Sequence, residues 1–514
     1  MTRHVSLELL PLGRTLFVPP GASLREILFE AGVEFPCGGR GRCRGCRVRV
    51  LAGDLPMTGD DRRLLDGAEL AAGWRLACRA EARNDLKLEL AQWEARILAD
   101  DRTFEFTPAP GLGIAIDLGT TTIVGQLVDQ STGNVLAVES ALNTQARHGA
   151  DLMSRVEFGS ARGGGETLTA LIRGQLEQLI EKLLETQPCR RGELRQVVLV
   201  GNTVMHHLFC GFSVEALGHT PFESRSVGLQ ILRPGEVGWP LSEEVTLRFL
   251  PCLGGFVGSD ILAGILATGL HEAERLTALL DLGTNGEIVV GNRDGLLCAS
   301  TAAGPAFEGA RISRGMRAAS GAISAVRLVG DKIECQVLGQ TDPRGICGSG
   351  LVDAAACGLD LGRIQPNGRL QGGADWELVP SVALTQTDIR ELQLAKGAIA
   401  AGLRLLASQL GASLEDLDRV HLSGAFGNYI NRASARRIGL LQAPLDRIVP
   451  AGNTALLGAK LALLAPPDTD FTYAALQQRI RHVCLHEDPA FQETYVDEMG
   501  FPVRTPERCH HAMR

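Results

Sequence analysis

Four cysteines, Cys37, Cys43, Cys46 and Cys78, carry the first chemistry legible in this chain. Three stand in PCGGRGRCRGC and the fourth in RLACRA, with gaps of five, two and thirty-one residues. Four thiolates, three of them from one tight turn, suit a 2Fe-2S cluster, which carries single electrons. Gly38, Gly39, Gly41 and Gly45 let the backbone approach the cluster sulfurs and hydrogen-bond to them, which tunes the potential. Structural zinc is the competing reading. Its ligands usually come as two short pairs, and three plus one fits poorly.

A second chemistry is written twice. GIAIDLGTTTIVGQLVD runs from Gly113 to Asp129, and LLDLGTNGEIVVGN from Leu279 to Asn292. Each is an apolar strand ending in Asp-Leu-Gly-Thr, a turn, then another apolar strand. Each is followed later by a strand ending in glycine, QVVLVGNT at 196–203 and RVHLSGAFGN at 419–428. The repeat predicts two similar α/β halves facing a cleft. Gly119 and Gly283 permit turns whose N–H groups point at one anion. Thr120, Thr121, Thr122 and Thr284 add hydroxyl donors, and Asn285 follows the second turn. Asp117 and Asp281 would repel a phosphate directly, so Mg²⁺ held through water is their expected role. Glu287 is placed to orient an attacking water; a purely structural role is the alternative. There is no GxxxxGK[ST] loop.

The elements that position these residues are readable in outline. VSLELL and TLFVPPG form a hairpin, SLREILFEAGV a helix capped by Ser23, RVRVLAG and LKLEL strands, and Asp60 to Asp66 a short helix. This is the order of a β-grasp ferredoxin, over residues 1–92. The five-residue first gap resembles the adrenodoxin-like branch and several fused ferredoxin domains. Residues 93–110 read as a linker with a possible short helix, 111–275 and 276–502 as the two lobes, and 503–514 as a tail. The fold class expected is α/β and α+β multidomain.

Bulk properties exclude several classes. The chain has 514 residues, a formal net charge of −8 and 45% hydrophobic residues. That argues for more than one domain and against nucleic-acid binding. No apolar run reaches the ~18 residues of a membrane span. The start lacks a signal-peptide core. Thirteen cysteines, mostly scattered, suit a reduced cytoplasmic protein.

The duplicated motifs resemble the phosphate motifs of the acetate and sugar kinase, Hsc70 and actin superfamily, whose lobes are ribonuclease H-like. LSGAFG, with Gly424 and Gly427, stands where that superfamily places its adenosine turn, although Ala425 and Phe426 separate the glycines. A ferredoxin domain fused ahead of such a body resembles the reductive activators of corrinoid proteins. NTQARHGADLMSRVEFG from Asn143, VGNTVMHHLFCG from Val200, FVGSDILAGIL from Phe256 and PRGICGSGLVDA from Pro343 agree with that family.

That resemblance implies an ATP-dependent ATPase and reductase with a 2Fe-2S cluster, ATP and Mg²⁺ as cofactors. It would pass one electron to Co(II) cobalamin in a corrinoid protein of a methyltransferase system, restoring Co(I). Plant-type clusters lie near about −400 mV, so the step is uphill and ATP must drive it. A low-potential electron donor is a second partner, and a homodimer is left open. The alternatives are a redox-sensing nucleotide switch, an ATP-driven electron injector for another metalloenzyme, or a small-molecule kinase with a regulatory ferredoxin.

Other residues are ambiguous. Arg40, Arg42, Arg44, Arg47 and Arg49 read as a solvated face or a docking patch for an acidic partner. Lys396 reads as a surface lysine or a phosphate contact, Cys347 as structural or redox-relevant, and His206-His207 as local packing. Gly315 to Ile323 reads as an exposed loop on the partner surface, and CHHAMR as a disordered tail.

Overall fold

The computed structural model describes residues 4–10, 14–30, 41, 46–65, 67–90, 106–148, 152–223, 226–283, 285–309, 311–316, 318, 321–338, 342–373, 375–380, 382–427, 429–466 and 469–503. Cys37, Cys43, Thr284, Arg40, Arg42, Arg44, most of the expected linker and the CHHAMR tail lie outside the described residues.

The N-terminal sheet has five strands, in the order Arg14–Val18, Val5–Leu10, Leu86–Leu90, Arg47–Ala52 and Trp74–Leu76. Val5–Leu10 runs parallel to Leu86–Leu90, while the hairpin to Arg14–Val18 is antiparallel, the β-grasp arrangement. Strict alternation in VSLELL and LKLEL buries Leu7, Leu9, Leu86, Leu88 and Leu90 on one face, against Leu24 and Leu28 of the helix Leu24–Glu30. The expected short helix is Gly59–Leu64. Thr58 caps it, and Asp61 completes the capping box and accepts from the Leu76 N–H. The core of this unit reaches Val138, on the outer strand of the first lobe.

The body is built from two six-stranded sheets. In the first, Val135–Leu142, Thr122–Asp129 and Leu112–Leu118 form an antiparallel meander, and Leu194–Gly201 and Thr246–Phe249 add in parallel. The second repeats this with Gly295–Thr301, Gly286–Asn292 and Thr277–Leu282, then Arg419–Ser423 and Ile448–Gly452. Each sheet carries one extra strand, Gln230–Leu232 in the first and Ile480–His482 in the second. The central strands are buried on both faces, which is why they read as unbroken apolar runs.

Two helices lie between the sheets, Ser259–Thr268 and Thr454–Leu464. Their apolar residues share one core with strands of both lobes. They cross at very short range. A Cβ on Gly458 would lie 2.1 Å from the Ala263 carbonyl oxygen, and one on Gly264 would lie 3.1 Å from Thr454 Oγ1. Glycine is required here by close approach rather than by backbone angle.

Candidate functional site

The Asp-Leu-Gly-Thr turns sit at the ends of Leu112–Leu118 and Thr277–Leu282, facing the cleft. Gly119 has no room for a side chain, because a Cβ would lie 2.4 Å from the Thr122 carbonyl oxygen. Gly283 closes its own turn by donating to the Asn285 carbonyl at 3.1 Å. Neither has a positive φ; close packing requires glycine at 119, whereas a Cβ at 283 would meet only the Asn285 carbonyl, at 3.8 Å.

Each turn is fixed by residues distant in sequence. Asn143 Nδ2 donates to the Gly119 carbonyl at 3.0 Å, and Arg155, fully buried, donates to the Thr120 carbonyl at 2.6 Å. The Thr121 carbonyl accepts from the Asn143 N–H at 2.9 Å. Thr122 opens the next strand and is exposed. Asn202 caps the helix Thr203–Cys210 and donates Nδ2 to Thr120 Oγ1 at 2.9 Å. Asn453 caps Thr454–Leu464 and donates Nδ2 to Asp117 Oδ2 at 2.9 Å. In the second lobe, Ser423 Oγ donates to Asp281 Oδ2 at 2.8 Å.

Four carboxylates converge on the cleft floor: Asp117, Asp281, Glu287 and Asp260. Asp281 and Glu287 are directly opposed on neighbouring antiparallel strands. Asp260 enters from the first turn of Ser259–Thr268. Burial pushes Asp117 up to about 7, against the pull of the Asn453 hydrogen bond, and the charge of Asp281 adds to the rise. Burial, then the charges of Asp281 and Asp117, push Asp260 up to about 8. Glu287 is held well above the ordinary carboxylate range by burial and by the charges of Asp260 and Asp281. Burial raises Asp281, opposed by the Ser423 bond. Among the described residues no lysine or arginine pairs with any of the four. An uncompensated cluster of hard oxygen donors, faced by the N-termini of two helices, fits a hard divalent cation such as Mg²⁺.

The structure thus brings Asp117, Asp281 and Glu287 together, as the sequence reading expects. It adds Asp260, Asn143, Arg155, Asn202, Asn453 and Ser423, which that reading missed. A signal existed for two of them. Gly-Asn-Thr occurs at 201–203 and again at 452–454, and both asparagines cap a helix and reach the first turn. Gly424, at φ +81°, is tight against Asp281; a Cβ there would lie 2.6 Å from Oδ1. Gly427 follows in the same short helical turn, Gly424–Gly427. Between them Phe426 is buried and stacked on Phe307, ring centroids 4.5 Å apart.

In the cysteine domain, Cys46 and Cys78 are both buried. The Ala77 N–H donates to the Cys46 carbonyl at 3.0 Å, which brings the two cysteine segments together. Gly41 is at φ +63°, and a Cβ there would lie 2.3 Å from Asp60 Oδ2. Arg63 donates to the Gly41 carbonyl at 2.6 Å and, like Arg79, pairs with Asp60. Two buried thiols held on adjoining segments fit a thiolate-held 2Fe-2S cluster.

Several expectations need correction. Arg47 is not free for docking: it pairs with Glu69 and lies over the Trp74 ring. Arg49 stays 43% exposed, as a solvated face requires, while pairing with Glu89 and donating to the Ala72 carbonyl. Lys396 is neither a surface lysine nor a phosphate contact. It is buried, donates to the Gly500 carbonyl at 2.6 Å and lies over the Phe501 ring. Burial lowers it to about 8. Gly321, Ala322 and Ile323 are buried rather than exposed, and Ala322 and Ile323 pair with Gly345 and Ile346. Cys347 is buried with Sγ 3.4 Å from Ser349 Oγ, a structural setting. His206 and His207 are buried; His206 packs edge-on against Phe249.

Comparison with known proteins agrees with this architecture. Residues 7–83 match the 2Fe-2S iron-sulfur cluster binding domain, 112–273 the RACo middle region, and 275–513 the C-terminal domain of RACo, the ASKHA domain. The corrinoid activation enzyme RamQ of Eubacterium limosum is 37% identical over 440 residues, covering 78% of this chain and 73% of that protein. A [Co(II) methylated amine-specific corrinoid protein] reductase of Methanosarcina barkeri is 27% identical, covering 76% and 77%. The solved structure of a reductive activator for a corrinoid, iron-sulfur protein superposes with a TM-score of 0.67 at 26% identity, covering 97% and 98%. With its cysteine domain, its duplicated cleft and these relatives, the chain belongs to the RACo family of reductive activators of corrinoid proteins.

Proposed function

We propose that this chain couples ATP binding and hydrolysis to the one-electron reduction of a Co(II) corrinoid protein, returning it to Co(I) for methyl transfer. The observation that carries this is the four-carboxylate cleft between two Asp-Leu-Gly-Thr turns, in one chain with a 2Fe-2S-type cysteine domain whose Cys46 and Cys78 are buried. Asp117 and Asp281 would hold Mg²⁺, with Asp260 beside them. The turn N–H groups around Gly119, Thr120, Thr121 and Asn285 receive the phosphates, with hydroxyls from Thr120, Thr122 and Thr284, while the Gly283 N–H is spent on its own turn. Gly424 and Gly427 give the nucleotide room at the second turn. Glu287, its carboxyl held high by burial and then by the charges of Asp260 and Asp281, orients the attacking water and receives its proton. When bound by Cys37, Cys43, Cys46 and Cys78, the cluster supplies low-potential single-electron chemistry. For ATP to drive an uphill transfer, the nucleotide state must change the affinity for the corrinoid partner or for one of its cobalt states.

The test is anaerobic. Reduced protein, Mg-ATP and a Co(II) corrinoid protein of a methylamine or related methyltransferase system are mixed, and the Co(I) absorption is followed. Growth of that band only with ATP supports the proposal. A cluster that reduces and an ATPase that turns over, with no Co(I) from any corrinoid protein, favour a redox-sensing switch instead.

No helix is long and apolar enough to cross a membrane, among the described residues.

A further inference from the structure

A second set of ligand-type side chains lies away from the carboxylate cleft, where the two halves of the body meet. The strand Ile480–His482 runs along the edge of the second sheet, parallel to Gly295–Thr301. The ladder continues past it, since the Val483 N–H donates to the Cys298 carbonyl at 2.8 Å. Alternation therefore turns Val483 into the core and places His482 and Cys484 together on the opposite face. Facing them is Glu223, from a loop of the first half that follows the helix Thr203–Cys210.

The ligand atoms of Glu223, His482 and Cys484 all lie within 4.8 Å of one another. His482 Nδ1 stands 4.0 Å from the nearer Glu223 oxygen, too far for a hydrogen bond. In a tetrahedral zinc site, bonds of about 2.0–2.3 Å put neighbouring ligand atoms about 3.3–3.8 Å apart. The set needs only a small contraction, and the Glu223 side chain, 57% exposed, is free to make it. The His482 ring is already fixed. It packs on Gly254, where a Cβ would lie 2.5 Å from its Cγ, so only glycine leaves room for it.

The geometry points to a divalent transition-metal site at Glu223, His482 and Cys484, of zinc type, with water completing the fourth position. Imidazole, thiolate and carboxylate on one ion select zinc-like metals over Mg²⁺. Such an ion would tie the 219–223 loop of the first half to the edge strand of the second. The site shares no residue with the cluster cysteines or the carboxylate cleft.

The test uses the full chain with its cluster intact, cleared of loose metal with a chelator and titrated with Zn²⁺. One zinc per chain is expected. Affinity should fall at least about 100-fold in His482→Ala and in Cys484→Ser with cluster iron unchanged. Glu223→Gln, on an exposed side chain, should weaken binding without threatening the fold. A tail variant, Cys509→Ser with His510→Ala and His511→Ala, should keep it. Zinc X-ray absorption should show one sulfur among nitrogen and oxygen ligands, and hydrogen exchange in 219–223 should slow on zinc addition. The proposal is overturned if no stoichiometric zinc binds, if binding survives both His482→Ala and Cys484→Ser, or if the bound zinc sees only sulfur.

Discussion

The two Asp-Leu-Gly-Thr turns share a backbone path and differ in what surrounds them. The first is buttressed: Asn143, Arg155, Asn202 and Asn453 all reach it. The second is held by Ser423 and its own turn bond. Charge runs the other way. Opposite Asp281 across the hairpin stands Glu287, whereas opposite Asp117 stands Val124. The two central helices differ too, since Asp260 occupies the position after Ser259 where Ala455 follows Thr454. Duplication supplied one scaffold twice. Divergence then made one copy a rigid cradle and gave the other a second acid, with Asp260 joining the group from the first of the two helices.

The largest effect expected concerns that acid. Glu287→Gln should lower ATP hydrolysis about 10³-fold, the loss of a positioned base, while ATP binding persists. Adding Val124→Glu should not restore turnover; recovery would mean the lobes are interchangeable. Next comes the cradle. Arg155→Met leaves buried carbonyls without their charged donor and should cost about 3 kcal/mol in denaturant unfolding. Ser423→Ala in the other lobe should cost about 1 kcal/mol. Equal costs would remove the asymmetry. Asn453→Ala loses a helix cap and should cost about 1 kcal/mol while raising the Mg-ATP concentration needed for half-maximal ATPase. An unchanged requirement would place Asn453 outside the site.

The smallest effect is electrostatic. The buried amines Lys396 and Lys460 both belong to the second half, and burial lowers each to about 8. An unfolded lysine titrates near about 10.4, so between pH ~8 and ~10 the unfolded chain holds the extra protons. Stability therefore rises with pH across that window, and the full burial penalty applies below it. Lys396→Met should flatten this rise by about 1 kcal/mol, allowing for partial solvent access. Unfolding in denaturant near pH 8 and near pH 10 reads it directly; an unchanged slope would place the titration elsewhere.

Much of this was legible in the sequence, and the reasons are physical. A strand buried on both faces leaves an unbroken apolar run, and LGIAIDL and TALLDL announce themselves that way. The Asp-Leu-Gly-Thr repeat is local, so both turns and the acids Asp117, Asp281 and Glu287 could be found. Asp260 could not, because one acid opening an apolar helix looks like an ordinary N-terminal charge until tertiary structure points it at Asp281. Lys396 was misjudged for the same reason. Helical periodicity does not reveal that the segment at Gly500 closes over one face of its helix. Arg47 looked like part of a surface stripe, but it pairs with Glu69 and lies over Trp74.

The crossing at Gly458 and Ala263 sets the mechanics of the body. With no side chain between them, the two helices meet as an axle meets its bearing, and sliding would drive backbone into backbone. The motion left is scissoring about that point. Both helices begin at the cleft, one beside Asp260 and one beside Asn453. A small change of spacing at the phosphates would therefore be geared into a larger swing at the far rims of the lobes. The core of the cysteine domain takes in Val138, on the outer strand of the first sheet, and is packed by Tyr429 of the second half, so it bears on both lobes at once.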